Sequence, residues 1–191
     1  MNDIPDYGES HYVGPIKGAQ PNSQAWVDGF PHEAWLKLNS YFSFAFKNGH
    51  YPKVQRDEIF VWGRPHPKAA HASHDGVPRP DHWELVGFPT FDGTCPHIIT
   101  LSSQTDDKFW VVVLATTPST IWLSSGEYAK SWNIPAGLSK LSHPLEPGGT
   151  MRASLYRDEN LVTHVDAAEL GFHFDPSPGV YNFNVLVATS P

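Results

Sequence analysis

Length, composition and charge limit the classes of protein to which this chain can belong. Its 191 residues are 40% hydrophobic and 17% charged, with 18 Pro, 15 Gly, 7 Trp, 7 Tyr and 11 Phe, which is typical of a turn-rich β protein. A formal net charge of -7 with 13 Lys and Arg excludes the basic footprint of a nucleic-acid-binding protein. No apolar run reaches the roughly 20 residues of a membrane span, so no membrane partner is expected. The single cysteine, Cys95, excludes an internal disulfide and a thiolate metal site, and we expect no cofactor.

The first feature in chain order is a pair of carboxylates, Asp6 and Glu9 in "DYGES". Residues three apart point to opposite faces of a regular strand, so these two converge only if Gly8 breaks the strand. Converging acids at the end of a strand can act as general acid, general base or nucleophile in glycoside hydrolysis. A solvated turn is the alternative, and spacing alone favours it, because Asp, Gly and Ser are turn formers.

A long loop and one helix come next. Residues 13–30 are rich in Pro and Gly, show no period and predict an irregular loop. Residues 31–48 predict a helix, since Pro31 is tolerated at the first helical position, Glu33 lies in the first turn and Gly49 follows the end. The helix is apolar nearly all round, so we expect it to lie on the following domain with one apolar flank exposed.

The chain after residue 57 carries short apolar runs separated by Pro, Gly and Asp, and each run predicts a strand. The predicted strands cover residues 58–62, 108–115, 119–124, 131–134, 150–157, 160–165 and 180–188. Their spacing and the turn signals between them are typical of an antiparallel β-sandwich. We therefore predict a mainly β fold, with a boundary between residues 1–52 and 53–191.

Blocks along nearly the whole chain resemble one enzyme family. They include "DYGESHYVGPI", "AWVDGF.H.AW" and "IFVWGRPHPK" in the first part, and "FWVVVLAT.PSTIWLSSG" and "F.F.PSPGVYNFNVLVA" further on. The first blocks are similar to the end of the catalytic barrel of glycoside hydrolase family 71, the fungal α-1,3-glucanases or mutanases. The later blocks are similar to the β domain that follows that barrel. The resemblance implies that residues 1–52 are a strand, loop and helix from the end of a (β/α)8 barrel, and that residues 53–191 are an accessory sandwich.

The resemblance also implies an activity and its residues. It implies endo-hydrolysis of fungal cell-wall α-1,3-glucan with inversion, and an extracellular or cell-wall location, although Met1 to Pro5 lack the features of a signal peptide. Asp6 and Glu9 match the family's essential acids, one as general acid and the other as base or water positioner. His11 and Tyr12 are candidates for orienting sugar hydroxyls, with packing at the rim as the alternative. A (β/α)8 barrel takes about 250 residues, so we expect this chain to be a fragment or truncated relative that is inactive alone.

One segment departs from the family pattern. Residues 86–104, "VGFPTFDGTCPHIITLSSQ", separate two blocks that almost adjoin in the family. We expect this insertion to be either a lineage-specific loop or translated intron sequence. Transcript reads that cross it without a splice junction would exclude the intron.

Two further features are candidates for binding. His66, His71, His74 and Asp75 contain metal-ligating atoms, but their spacing matches no strong pattern, so we expect a solvated loop and no metal. In "STIWLSS", Ile121 and Leu123 share one strand face and Trp122 lies on the other. Trp122 is therefore either an exposed platform for a sugar ring or a residue partly buried against a neighbouring domain.

Three functions remain open from the sequence. The chain is part of a glycosidase, or its β domain is a non-catalytic carbohydrate-binding module, or that domain only braces the barrel. The first two predict binding to a polysaccharide, α-1,3-glucan, and the third predicts neither binding nor hydrolysis.

Overall fold

A computed structural model describes residues 12–14, 27–67, 70, 72 and 107–191. Within these ranges the chain forms one α-helix, eight strands and a 3-10 turn at Ala167–Leu170. The elements are α1 (Glu33–Asn48), β1 (Glu58–Gly63), β2 (Lys108–Ala115), β3 (Ser119–Ser125), β4 (Tyr128–Ile134), β5 (Gly137–Pro144), β6 (Arg152–Arg157), β7 (Asn160–Asp166) and β8 (Leu186–Thr189). The mainly β fold class predicted from the sequence is confirmed.

The strands form two antiparallel sheets that share one core. Sheet 1 has the order β5-β2-β1-β8 and sheet 2 has the order β4-β3-β6-β7. Alternate side chains of both sheets point into the space between them, and the fully buried members include Ile59, Phe109, Ile121 and Leu155. Each such side chain stabilises the fold by about 1.5–3 kcal/mol. The antiparallel sandwich predicted from the strand spacing is confirmed.

Helix α1 has the ends that its sequence predicts. Glu33 lies in the first turn and Lys47 in the last turn. At these positions the negative and the positive charge each interact favourably with the helix dipole. Gly49 ends the helix with φ +70°, a left-handed conformation that favours glycine, and its N–H donates to the Ala45 carbonyl at 2.9 Å. No helix among the described residues is both long and apolar enough to cross a bilayer.

Helix α1 covers the face of sheet 1 that points away from the central core. Ala34 and Leu38 are buried against Phe60 of β1 and Val112 of β2. Apolar side chains on the remaining helix surface stay exposed: Leu36, Phe44 and Phe46. The helix thus lies on the sandwich with an apolar flank exposed, as predicted, and its origin in a barrel stays a prediction.

Strand β5 was not predicted. It pairs with β2 over its whole length, from Lys108↔Pro144 to Ala115↔Gly137. Its apolar side chains face opposite sides of the sheet, because Leu138 packs in the cluster beneath α1 and Leu141 packs against the central core. Neither face of the strand is apolar throughout, so the sequence lacks the period of two that marks a half-buried strand.

The strand predicted over 180–188 is wrong before Leu186, where β8 begins. The side-chain oxygen of Asn182 accepts a hydrogen bond from the Asn184 N–H at 2.9 Å. The side-chain oxygen of Asn184 accepts one from the Val185 N–H at 2.8 Å. These local bonds satisfy backbone groups that a strand would pair in a ladder, which is why the chain is irregular here.

Candidate functional site

The described residues include two of the predicted site residues, Tyr12 and Trp122. Asp6, Glu9 and His11 lie outside the described residues, as does the segment 86–104. The described candidates are therefore Tyr12, which follows Glu9 by three positions, and Trp122 on β3.

Tyr12 is almost fully buried and ties the start of the described chain to its end. Its hydroxyl donates to the Phe30 carbonyl at 2.5 Å and accepts from the Asn184 side-chain amide at 2.9 Å. Its ring stacks on the His32 imidazole with 4.1 Å between ring centroids and 9° between planes. These contacts fix Tyr12 relative to the segment that leads into β8. Direct contact of Tyr12 with a sugar stays a prediction.

His32 is a buried residue that the sequence analysis did not single out. Nδ1 lies 2.7 Å from the Tyr12 carbonyl and Nε2 lies 3.0 Å from the Val185 carbonyl. Both partners are acceptors, so the neutral ring donates to one of them at a time and the imidazolium form donates to both. The imidazole thereby joins the Tyr12 segment, the start of α1 and the approach to β8. The sequence could have indicated His32, because this histidine lies inside the block "AWVDGF.H.AW" that resembles the family.

Trp122 lies on the outer face of sheet 2. It is 50% exposed, whereas Ile121 and Leu123 beside it are fully buried, so the predicted orientation of these three residues is confirmed. Its cross-strand neighbours are small and hydroxylated, Ser131 on β4 and Ser154 on β6. An exposed indole between hydroxyl groups suits the apolar face and hydroxyl rim of a sugar ring. Use of Trp122 as a sugar platform stays a prediction.

The structure does not bring Tyr12 and Trp122 together. Tyr12 and its partner His32 lie near the start of α1, which covers the outer face of sheet 1. Trp122 lies on the outer face of sheet 2, on the opposite side of the sandwich. A ligand on Trp122 is therefore bound at a surface separate from the Tyr12 segment.

Comparison with known proteins covers almost all of this chain. The sequence model described as "Glycosyl hydrolase family 71" matches residues 5–191, a range that includes Asp6, Glu9, Tyr12 and Trp122. The chain belongs to glycosyl hydrolase family 71. Membership covers both the segment that contains the predicted acid pair and the whole sandwich.

Three relatives of this family 71 chain are named as a glucan endo-1,3-alpha-glucosidase, a mutanase and an endo-1,3-alpha-glucanase. A glucan endo-1,3-alpha-glucosidase of Schizosaccharomyces pombe is 28% identical over 181 residues, which is 94% of this chain and 37% of that protein. A mutanase of Penicillium rubens is 28% identical over 97% of this chain and 37% of its own length. An ascus wall endo-1,3-alpha-glucanase of S. pombe is 34% identical over 41% of this chain and 21% of its own length. The family 71 chain thus spans 37% of the length of the first two of these relatives, and no solved structure matches it.

The histidine segment of this family 71 chain is described only in part. His66 Nδ1 lies 3.1 Å from the Asp175 carbonyl, and its ring is 5.6 Å from that of Tyr181. His71, His74 and Asp75 lie outside the described residues. In the part of the chain that is described, His, Cys, Asp and Glu side chains form no group of three arranged to hold a metal ion.

Two groups with perturbed pKa values lie at contacts within the sandwich of this family 71 chain. Burial lowers the pKa of His143 on β5, and the charge of Lys130 lowers it further. The hydrogen bond of His143 to the Tyr128 carbonyl raises this pKa but does not cancel the decrease. Asp57, just before β1, forms an ion pair with Arg157 at the end of β6, and its pKa is lowered. Both groups take part in contacts between strands or strand ends, so we attribute the shifts in their pKa values to packing within the fold.

Proposed function

We propose that this family 71 chain belongs to an endo-acting, inverting α-1,3-glucanase of the fungal cell wall or extracellular space. The observation that carries the proposal is the family match over residues 5–191, which includes the "DYGE" motif together with the sandwich. The names of two relatives, a glucan endo-1,3-alpha-glucosidase and a mutanase, support α-1,3-glucan as the substrate.

The proposed chemistry uses Asp6 and Glu9 as the acid pair. An inverting glycosidase needs one carboxylic acid to protonate the leaving oxygen and one carboxylate to activate water, about 6.5–9.5 Å apart. Tyr12, three positions after Glu9, is anchored by Phe30, His32 and Asn184. We propose that this anchor positions the motif, because acids at such a site must be held within a fraction of an ångström to act.

We propose that the chain at this length binds α-1,3-glucan without hydrolysing it. The relatives that carry glucanase names are much longer, and the chain covers 37% of two of them. A glycosidase must enclose the scissile bond between its two acids and exclude bulk water. Hydrolysis therefore requires further protein around the motif.

The test incubates the purified chain with insoluble α-1,3-glucan and measures two quantities, bound protein and released reducing ends. We expect retention on the polymer with no release above that of the Glu9→Gln variant. Release that Glu9→Gln abolishes would show that the chain is itself a hydrolase, and NMR of the first product would then show the β-anomer if inversion holds. Absence of both retention and release would leave only the bracing function.

A second candidate function, a non-catalytic carbohydrate-binding module, is favoured by the exposed Trp122. We expect Trp122→Ala to weaken binding to α-1,3-glucan by about twofold to tenfold, since stacking on an exposed ring contributes about 0.5–1.5 kcal/mol. The matched control is Phe46→Ala, which removes an aromatic ring that is 88% exposed on α1, on the other side of the sandwich. Depletion of protein from solution by increasing amounts of polymer measures both; equal losses in the two variants would contradict a platform at Trp122.

A further inference from the structure

A cleft of about 390 Å³ lies where the C-terminal half of α1 meets one end of the sandwich. Its walls include Tyr41 on α1, Tyr51 and Lys53 after the helix, Thr116 after β2 and Leu138 on β5. Its volume is within the range of about 300–1,000 Å³ for pockets that hold small ligands. We call it the Tyr51 cleft. It lies on the α1 side of sheet 1, whereas Trp122 lies on the outer face of sheet 2.

Tyr51 forms an aromatic wall of the Tyr51 cleft and contacts the rings of Tyr41 and Phe42. The ring of Tyr51 is nearly parallel to that of Tyr41, with 5.6 Å between centroids and 16° between planes, and Phe42 meets it edge-on at 6.3 Å. Tyr51 is nevertheless 55% exposed. Since α1 holds two of these rings, ordering Tyr51 on binding requires little loss of side-chain entropy. Burial and the neighbouring Tyr51 raise the pKa of Tyr41, so its hydroxyl stays a donor at neutral pH.

The floor of the Tyr51 cleft is held by hydrogen bonds. Thr116 donates its N–H to Asp57 at 2.8 Å and its hydroxyl lies 3.1 Å from both carboxylate oxygens. At Gly137 the backbone has φ +101°, and a Cβ there would meet no atom within 4 Å. Among the described residues that line the cleft, Lys53 alone carries a charge. The cleft therefore offers a fixed floor, open space and one cationic donor.

We propose that the Tyr51 cleft binds one pyranose ring of an α-glucan chain. A pyranose has an apolar C–H face that stacks on an aromatic ring and a hydroxyl rim that bonds to phenolic hydroxyls and an ammonium group. An anionic ligand would favour several cations and bidentate arginine, which this lining lacks. The inference rests on the proposed function, because family membership supplies the class of polymer.

A second sugar site has a consequence for polymer binding. Two weak sites on one chain hold an insoluble polymer more strongly than either alone, because the second contact forms at high effective concentration. The Tyr51 cleft and Trp122 lie on opposite sides of the sandwich, so they engage different glucan chains or distant parts of one chain. The protein thereby binds glucan at two surfaces.

The test is an NMR titration of the ¹⁵N-labelled chain with an α-1,3-linked glucotetraose. We expect the amide signals of Tyr51, Gly137 and Leu138 to shift, and to shift equally in Trp122→Ala. Tyr51→Ala should raise the dissociation constant about twofold to tenfold, since stacking contributes about 0.5–1.5 kcal/mol. Ala136→Phe, which fills the cleft from an exposed position, should weaken binding without removing any contact. Tyr128→Ala, which removes a similar tyrosine that is 58% exposed on β4, should leave binding unchanged.

The outcomes separate the cleft from the proposed function. If these amides stay unshifted while the chain is retained on α-1,3-glucan, the cleft inference is overturned and the proposed function stands. If they shift with an α-1,4-linked but not an α-1,3-linked tetraose, the cleft is supported and the proposed polymer is wrong. If they shift with neither tetraose, the cleft inference is overturned.

Discussion

Asp57→Asn is expected to lower the free energy of unfolding by about 2–4 kcal/mol, because removing one partner of a largely buried ion pair leaves the other charge unpaired. The Asp57 and Arg157 side chains are 15% and 25% exposed, and both terminal nitrogens of Arg157 donate to the carboxylate. Thr116 also donates to it, and Arg157 Nε donates to Ser119 Oγ at 2.9 Å. This cluster connects sheet 1 to sheet 2. Urea unfolding followed by tryptophan fluorescence measures the change.

The effect of Asp57→Asn should depend on pH. Burial alone would raise the pKa of the Asp57 carboxyl, but the hydrogen bonds from Arg157 and Thr116 and the charge of Arg157 outweigh it, so the pKa is lowered. A group with a lowered pKa contributes stability that is fully present above its ordinary value, about 4, and is lost as pH falls through the lowered value. The gap between wild type and variant should therefore be constant from about pH 5 to 8 and shrink below about pH 4.

The matched control is Asp166→Asn, a second aspartate paired with an arginine. Arg152 Nε lies 2.7 Å from the Asp166 carboxylate, but the two side chains are 52% and 23% exposed. An exposed pair contributes about 0–1 kcal/mol, and asparagine keeps the oxygen that accepts from the Ala168 N–H. Equal losses in the two variants, or a gap for Asp57→Asn that persists unchanged to about pH 3, would contradict the assigned role.

Gly149→Ala is expected to destabilise the protein by about 3 kcal/mol, near the top of the range for overpacking. A Cβ at this position would lie 2.5 Å from Ser125 Oγ, 2.8 Å from Gly126 N and 2.9 Å from the Glu146 carbonyl oxygen. The last two atoms belong to the backbone, and the Glu146 carbonyl accepts the Gly149 N–H at 2.7 Å. The loop between β5 and β6 has no room to move away. Thermal and urea unfolding of the variant would measure the loss.

The neighbouring glycine provides a control with a different physical cause. Gly148 has φ +79°, and a Cβ there would meet nothing within 4 Å. Gly148→Ala should cost about 1–2 kcal/mol for the left-handed conformation, and Gly148→Asn less, because asparagine tolerates that conformation. Gly149→Asn should be at least as harmful as Gly149→Ala. Equal tolerance of asparagine at both positions would show that close packing is not the cause.

Local patterns predicted much of the sandwich and failed where partners distant in the sequence decide the structure. β2 and β3 have strongly alternating or apolar sequences, and their predicted ranges agree with the structure to within one residue. β5 has apolar residues on both faces and owes its conformation to pairing with β2. The stretch before β8 alternates like a strand, but the side chains of Asn182 and Asn184 bond to the backbone instead.

In the candidate site, too, local patterns predicted some features and contacts between distant residues decided the others. The alternation in "STIWLSS" was sufficient to place Trp122 outward, since strand periodicity fixes side-chain direction. The burial of Tyr12 depends on Asn184, 172 positions further along the chain, and no local pattern encodes that contact. The Tyr51 cleft likewise combines α1, the segment after it and the ends of two strands. Residues that are held in place by such long-range contacts can be identified only from the structure.

The pairing of β1 with β8 also governs how this chain folds. Sheet 1 is complete only when β8 (Leu186–Thr189) pairs with β1 (Glu58–Gly63), and strands β2 to β7 lie between these two along the chain. Contacts this distant in sequence slow folding, and an unpaired strand edge meanwhile offers its N–H and C=O groups to other chains. The yield of soluble protein during synthesis should therefore depend on how long the edge of β1 that pairs with β8 remains open, as well as on the stability of the finished sandwich.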